Sequence, residues 1–289
     1  SIAAPRLSLV AGGILLSCAA MELATLIIAM LVTVAVGGVL AGLLGIGGGI
    51  VIVPMLEFAL GIVGVDASVR MHIAVATSLA TIVPTSISSA RAHYRRAAID
   101  FTVVRYWWPW IAVGAVAGIV IAANVSGDFL AAVFAVVALA VAIKMLLPLD
   151  DTHLAPDVPR GLFGPIIPFV VGSVSTLMGI GGGTLSVTAM TLSGKPIHRA
   201  VGTASLLGLV IAVPATIGYM VSGWGNPLLP MASIGFVSMP GFLLIAVTTV
   251  LFAPLGAKIA HALPRRQLSL LFGLFLFVVV ARMAFRALA

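Results

Sequence analysis

Two short glycine-rich runs are the residues of this chain whose type and spacing indicate chemistry. The first glycine run reads Leu-Gly-Ile-Gly-Gly-Gly at residues 44–49, and the second reads Met-Gly-Ile-Gly-Gly-Gly at residues 178–183, 134 positions later. Three consecutive glycines destabilise a helix, so we expect each run to interrupt one. A helix that begins behind the run, at Ile50 and at Thr184, has free backbone N–H groups at its positive end. Such a group of donors favours an anion.

Hydroxyl side chains follow each glycine run at corresponding positions. Thr77 and Ser78 in the first half of the chain match Thr203 and Ser205 in the second. Hydroxyls donate hydrogen bonds to an anion without the cost of a buried charge. The alternative for each one is a bond to the carbonyl of its own preceding helical turn. We expect these side chains to line an anion site with the glycines of both runs, which are Gly47, Gly48, Gly49, Gly181, Gly182 and Gly183.

Two charged residues are further candidates. A guanidinium suits an oxyanion, so Arg91 is a candidate ligand, although a charge that only sets topology is the default interpretation. Glu57 lies inside a short apolar segment, where a carboxylate either relays a coupling proton or extends to the membrane interface. His72 and His198 also correspond, and we expect them to be interfacial residues at helix starts, with protonatable ligands near the cavity as the alternative. The five histidines are scattered, without cysteine or acidic neighbours at ligand spacing, so we expect neither a metal nor a cofactor.

The composition places these residues in a membrane. Hydrophobic residues make up 62% of the chain and charged residues 8%, which leaves too little polar surface for a water-soluble domain. The apolar runs do not alternate as the strands of a barrel do. We therefore expect an all-α polytopic membrane protein. In such a protein the net charge of +7 reflects topology-setting loops and not nucleic-acid binding.

The chain reads as two copies of one unit. We expect an N-terminal extension (1–22), a first membrane repeat (23–149), a polar linker (150–160) and a second membrane repeat (161–289). Each repeat contains five apolar segments, and an odd number of crossings turns the second repeat upside down. The ten segments are about 23–44, 50–64, 72–90, 107–123 and 129–147, then 162–178, 183–193, 199–221, 231–253 and 267–286.

The distribution of basic residues agrees with two inverted repeats. Residues 91–105 carry four arginines, whereas their counterpart at 222–230 carries no charge. Residues 258–266 are basic, whereas their counterpart at 124–128 has no base. The positive-inside rule then puts both basic connections in the cytoplasm. Inverted repeats with glycine-broken helices bring the two breaks together near the middle, as in the binding site of a carrier.

At these motifs the chain resembles the sulfite exporter TauE/SafE family, also called the toluene sulfonate uptake permease family. The shared features are the doubled Gly-Ile-Gly-Gly-Gly, the sequence Ala-Val-Ala-Thr-Ser-Leu at residues 74–79, and Pro-Leu-Gly-Ala-Lys at residues 254–258. The second copy of the middle motif has one residue inserted before its serine. The resemblance covers about residues 23–286. It implies a multi-pass carrier in the bacterial inner membrane for small sulfur-containing anions such as sulfite, thiosulfate or sulfoacetate.

We therefore expect a secondary transporter that works by alternating access, and not an enzyme. An anion channel on the same architecture is the first alternative. A membrane-embedded enzyme is less favoured, because the chain lacks Gly-x-Ser-x-Gly and any cluster of histidines with carboxylates at metal spacing. The expected partners are a small anionic substrate and the lipid bilayer, with a homodimer left open and no nucleic acid.

Overall fold

A computed structural model of the chain describes residues 48–146, 161, 164–247 and 265–288. Gly47, the extension at 1–22, the first apolar segment, the linker at 150–160 and the motif at 254–258 lie outside the described residues. Within these ranges the fold is helical, with one two-stranded antiparallel hairpin.

Four helices are described in the first half: α1 (Gly49–Ile62), α2 (Ala67–Arg95), α3 (Phe101–Asn124) and α4 (Gly127–Leu146). The second half contains α5 (Ile166–Met178), α6 (Gly183–Leu192), α7 (Ile197–Ser222), β1 (Ser233–Ile234), β2 (Val237–Ser238), α8 (described over residues 239–247) and α9 (Arg265–Leu288). The expected segment at 231–253 therefore begins with a β-hairpin and not with a helix.

Length and hydropathy make this a multi-pass membrane protein. Among the described residues, α2, α3, α4 and α7 are long and apolar enough to cross a bilayer. By contrast, α1, α5 and α6 have 14, 13 and 10 residues. At about 1.5 Å per residue, none of these three exceeds roughly 21 Å, so each falls short of a hydrocarbon core about 30 Å thick. The helices that adjoin the glycine runs are therefore too short to cross alone.

Two of the long helices begin at aspartates that cap them. Asp66 accepts from the N–H of Ser68, and Asp100 accepts from the N–H groups of Thr102 and Val103. Such caps satisfy donors that have no partner within the helix. The hydrogen bonds from the hydroxyl and the N–H of Ser68 hold the pKa of Asp66 below its ordinary value. These caps explain why α2 and α3 begin several residues before the apolar segments do.

Helices α3 and α5 pack closely through glycine. A Cβ on Gly118 would lie 2.7 Å from the carbonyl oxygen of Ser173, and one on Gly114 would overlap the carbonyl of Phe169. Small residues four apart allow this approach between membrane helices. Because residue numbers rise together along both contacts, α3 and α5 run parallel.

Helix α7 runs in the same direction as α3 and opposite to α2. Thr203 contacts Asp100 near the start of α3, and Gly218 lies against Ile119 near its end. Helix α2 is antiparallel to α3, since His72 near its start contacts the carbonyl of Ala122 near the end of α3. The three helices thus define the two ends of the bundle.

Charged residues concentrate at one of these ends. The connection between α2 and α3 lies there, together with Lys195, whose Nζ is 3.4 Å from Oδ2 of Asp100. The 26 residues of α7 span roughly 39 Å, so this helix ends at the opposite end of the bundle. Residues 222–230 therefore lie opposite the basic connection at 91–105.

Candidate functional site

Each glycine run contains a left-handed glycine directly before the first residue of a helix. Gly48 has φ 63° and ψ −11°, and Gly182 has φ 75° and ψ −5°. They are the residues that precede α1 and α6, which begin at Gly49 and Gly183, one residue before the expected positions. This left-handed conformation is energetically unfavourable for residues with a side chain, so each position favours glycine.

The second glycine run contains two further left-handed residues, Gly179 and Gly181. Gly179 ends α5, and the following N–H of Ile180 donates to the carbonyl of Ser175 at 3.1 Å. The run therefore separates two helices by a short stretch of non-helical backbone, as the three glycines predict.

The structure brings the two glycine runs into contact. A Cβ on Gly49 would lie 2.6 Å from the carbonyl oxygen of Gly179 and 2.7 Å from Cα of Ile180. Ser78 joins the same place from α2, because its hydroxyl donates to the carbonyl of Gly179 at 2.7 Å. The contact is buried in the protein, where Ser78 has no exposed surface.

The two predicted threonines make matching contacts between the halves. The N–H of Ser238 donates to Oγ1 of Thr77 at 3.0 Å, and the N–H of Asp100 donates to Oγ1 of Thr203 at 2.9 Å. Asp100 directly precedes α3 and Ser238 directly precedes α8. Each threonine thus fixes the start of a helix in the other half, and its hydroxyl hydrogen is left to donate.

The structure does not bring Thr77 and Thr203 together. Gly208 of α7 lies against Ser86 of α2, with 3.2 Å from a Cβ at Gly208 to the serine hydroxyl. Because these helices are antiparallel, Thr203 lies near the level of Arg91. That level is roughly 20 Å from Thr77 along α2, at about 1.5 Å per residue.

The remaining predicted residues occupy different surroundings. The Ser205 hydroxyl donates to the carbonyl of Gly202 at 2.7 Å, which is the structural alternative stated above. Arg91 is exposed near the end of α2. His198 is exposed and His72 is buried, and the interfacial position expected of both stays a prediction. His72 is buried, with Nε2 3.1 Å from the carbonyl of Ala122 and its ring stacked 5.0 Å from that of Phe236.

Glu57 is a buried carboxylate with two guanidinium neighbours. Its oxygens lie 3.7 Å from Nη1 of Arg70 and 3.8 Å from Nη2 of Arg282. The guanidinium of Arg282 also lies over the ring of Phe58, 4.2 Å from its centroid. The carboxylate therefore joins α1, α2 and α9.

Two serines that are not among the residues predicted from the sequence lie beside the second glycine run. A Cβ on Gly182 would lie 3.5 Å from Oγ of Ser186 and 3.6 Å from Oγ of Ser175. Both serines are completely buried. The positions 134 residues earlier hold Ala41 and Ile52. A comparison of the two halves therefore does not identify the serines, because they have no hydroxyl counterpart in the first half. The usable signal is instead their position on either side of the run.

The chemistry at the second glycine run is that of neutral donors. The first bond within α6 runs from the N–H of Ser186 to the carbonyl of Gly182 at 2.8 Å. The N–H groups of Gly183, Thr184 and Leu185 precede it, at the positive end of the helix. Such donors suit an anion. No group of three or more potential metal-binding side chains occurs in the described part of the chain.

Comparison with known proteins identifies a family and several relatives. The sequence profile described as Sulfite exporter TauE/SafE matches residues 29–283. A probable membrane transporter protein of Haemophilus influenzae is 36% identical over 90% of this chain and 98% of its own length. The probable membrane transporter protein YunE of Bacillus subtilis is 27% identical over 69% of this chain and 80% of its own length.

An archaeal protein is related as well. A probable membrane transporter protein of Methanocaldococcus jannaschii is 26% identical over 81% of this chain and 86% of its own length. No solved structure matches the chain. The profile match spans both glycine runs and most of the chain, and the relatives named above are described as probable membrane transporter proteins. The chain therefore belongs to the sulfite exporter TauE/SafE family of membrane transporters.

Proposed function

We propose that this protein is a secondary transporter that moves a small sulfur-containing anion across the bacterial inner membrane by alternating access. The observation that carries the proposal is the buried contact between the two glycine runs, Gly49 against Gly179 and Ile180. Non-helical backbone at membrane depth is tolerated where it is buried in protein or lines a cavity. Discontinuous helices that meet in this way form the substrate sites of many transporters.

The proposed architecture is two inverted repeats of five segments, with bounds at 23–149 and 161–289. Backbone conformations recur at corresponding places in the two halves, 134 positions apart for Gly48 and Gly182 and 138 positions apart for Ala97 and Gly235. Gly48 and Gly182 are both left-handed, and so are Ala97 and Gly235, with φ 52° and 54°. The matching threonine contacts support the same arrangement, because each half uses the same kind of bond to hold the other.

The proposed substrates are sulfite, thiosulfate or an organosulfonate such as sulfoacetate. Support for sulfur chemistry comes from the description of the family as a sulfite exporter. Support for an anion comes from the donors at the start of α6, and Arg91 is a further candidate near the basic end of the bundle. Glu57 is the candidate for proton coupling. The positive-inside rule supports a cytoplasmic position for that basic end.

Flux through purified protein in liposomes tests the proposal. We expect uptake of radiolabelled sulfite or sulfoacetate to saturate with concentration, and an excess of unlabelled anion inside the vesicles to accelerate it. Saturation and counterflow are properties of a carrier. Flux that rises linearly and shows no counterflow would support the channel alternative, and no flux of sulfite, thiosulfate or sulfoacetate above empty liposomes would overturn the proposed substrate class.

A further inference from the structure

Several helical hydroxyls in the described part of the chain donate to the preceding turn of their own helix. Ser173 donates to the carbonyl of Phe169, Thr85 to that of Thr81, and Thr191 to that of Val187. This bond to the preceding turn is the ordinary state of a hydroxyl in an apolar helix. Ser175 and Ser186 depart from it, as do Thr176 and Thr216, because none of these four buried oxygens has a hydrogen-bond partner among the described residues.

The two serine hydroxyls lie on either side of Gly182, and both side chains have no exposed surface. A buried hydroxyl without a partner is destabilising, so such groups in native proteins usually bind water, an ion or a ligand. Because the two hydroxyls lie beside the same α-carbon, a single bound molecule can contact both. A Cβ on Gly182 would point between them and would overlap Cδ1 of Ile211, so the flexible end of the Ile211 side chain must move when an anion enters.

The surrounding charges favour an anion as the occupant. The hydroxyls lie at the N-terminus of α6, whose N–H groups and dipole present positive potential. No lysine or arginine is buried among the side chains that the structure describes. The place therefore offers N–H and O–H donors without a fixed positive charge, which suits the oxygens of a small oxyanion.

We propose that Ser175 and Ser186, together with the N–H groups at the start of α6, bind one sulfur oxyanion beside Gly182. The proposal deepens the function proposed above and rests on it. The hydroxyl of each serine donates to one oxygen of the anion, and the N–H groups of α6 donate to the others. Ser175 and Ser186 are then the substrate-binding residues of the second half.

The same chemistry is missing from the corresponding place in the first half. Ala41 and Ile52 stand where the second half has Ser175 and Ser186. Ile52 is a buried apolar side chain on α1. The first glycine run therefore supplies close packing through Gly49, while the second supplies the ligands. The binding site is one-sided although the scaffold is duplicated.

Binding of sulfite and sulfoacetate to purified protein by calorimetry tests the site. We expect Ser175→Ala and Ser186→Ala each to weaken binding of the probe that the wild type binds by roughly 10- to 100-fold, the range for a hydrogen bond to a charged group. The matched control is Ser173→Ala, on the same helix as Ser175. Its hydroxyl already donates to the carbonyls of Gly114 and Phe169, so affinity should be retained.

Thermal stability without ligand separates binding from structure. Because their hydroxyls have no partner, removing them should leave the melting temperature of Ser175→Ala and Ser186→Ala unchanged or higher, with a smaller rise on adding sulfite. Ser173→Ala should melt at a lower temperature and keep the rise. Wild-type binding with both variants unchanged would overturn this site alone. A wild-type protein that neither binds nor moves either probe would overturn the site and the proposed function together.

Discussion

Thr77 accepts a hydrogen bond from the N–H of Ser238 across 161 positions of the chain, and both residues are buried. The bond ties the middle of α2 to the start of α8. Thr203 makes the same kind of bond to Asp100 in the opposite direction along the sequence. The two halves are thus held by bonds that neither half can make by itself.

We expect Thr77→Val and Thr203→Val each to destabilise the protein by about 1–3 kcal/mol, because each leaves a backbone N–H without its partner. The two losses should add, since sites more than about 10 Å apart with no shared partner behave independently. Thermal unfolding of the single and double variants in detergent measures this.

The control for the threonine variants is Thr85→Val on α2. Its hydroxyl donates to the carbonyls of Thr81 and Ile82 in the same helix, so no backbone N–H loses a partner. We expect its effect to be smaller than that of either test variant. Strong coupling between Thr77 and Thr203 would contradict their separation and would favour one shared ligand.

We expect Gly182→Ala to reduce sulfite binding at least tenfold. The added methyl group would lie between the hydroxyls of Ser175 and Ser186 and against the Cδ1 atom of Ile211. The left-handed backbone also costs about 1–2 kcal/mol once a side chain is present. Calorimetry and thermal unfolding of the same preparation separate the two effects.

Gly64→Ala provides the matched control for backbone strain. Gly64 is left-handed at φ 80°, and a Cβ there would meet nothing within 4 Å. We expect this variant to lose similar stability and to bind sulfite as the wild type does. If Gly182→Ala also keeps wild-type affinity, the second glycine run is a packing element and the anion binds elsewhere.

The proposed topology predicts which single cysteines an impermeant thiol reagent reaches in intact cells. In a Cys18→Ser background, we expect labelling at Trp224→Cys and protection at Arg95→Cys. Both side chains are exposed at opposite ends of the bundle. We expect residues 258–266 to be protected as well. Labelling of Arg95→Cys from outside would reject the inverted arrangement.

We expect Glu57→Gln to lower thermal stability, because it leaves the guanidinium groups of Arg70 and Arg282 beside a neutral side chain. The effect should reach about 1–3 kcal/mol, less than for a fully buried pair, since Arg282 is half exposed. Flux under an imposed pH gradient is the second measurement. Unchanged stability with loss of the response to the gradient would support proton relay by Glu57.

Local chemistry made part of this fold predictable. Gly48 and Gly182 directly precede helices, as the glycine runs predict, and their left-handed backbone explains why glycine stands there. Long apolar runs predict the spanning helices for an equally local reason. The predicted starts of α2 and α3 are less accurate, because the Asp66 and Asp100 caps place these starts before the apolar segments.

Features that depend on distant partners could not be predicted in this way. The burial of His72 depends on the ring of Phe236, far along the chain, and the strands around Phe236 have two residues each. Ser175 and Ser186 come together only because the second glycine run joins their two helices. They also lack counterparts in the first half, whereas residues that repeat in both halves, such as Thr77 and Thr203, can be identified from the internal repetition.

The reciprocal threonine bonds bear on how the chain is made. Residues reach the membrane in order during synthesis, so Thr77 and Asp100 arrive long before Thr203 and Ser238 emerge from the ribosome. Until then Thr77 on the newly inserted α2 lacks the N–H that its hydroxyl oxygen accepts in the complete protein, and Asp100 at the start of α3 lacks the hydroxyl oxygen to which its N–H donates. A truncated product keeps both defects permanently. Cellular quality control could therefore distinguish an early-terminated chain from the complete protein by these missing contacts, even though its helices are already inserted.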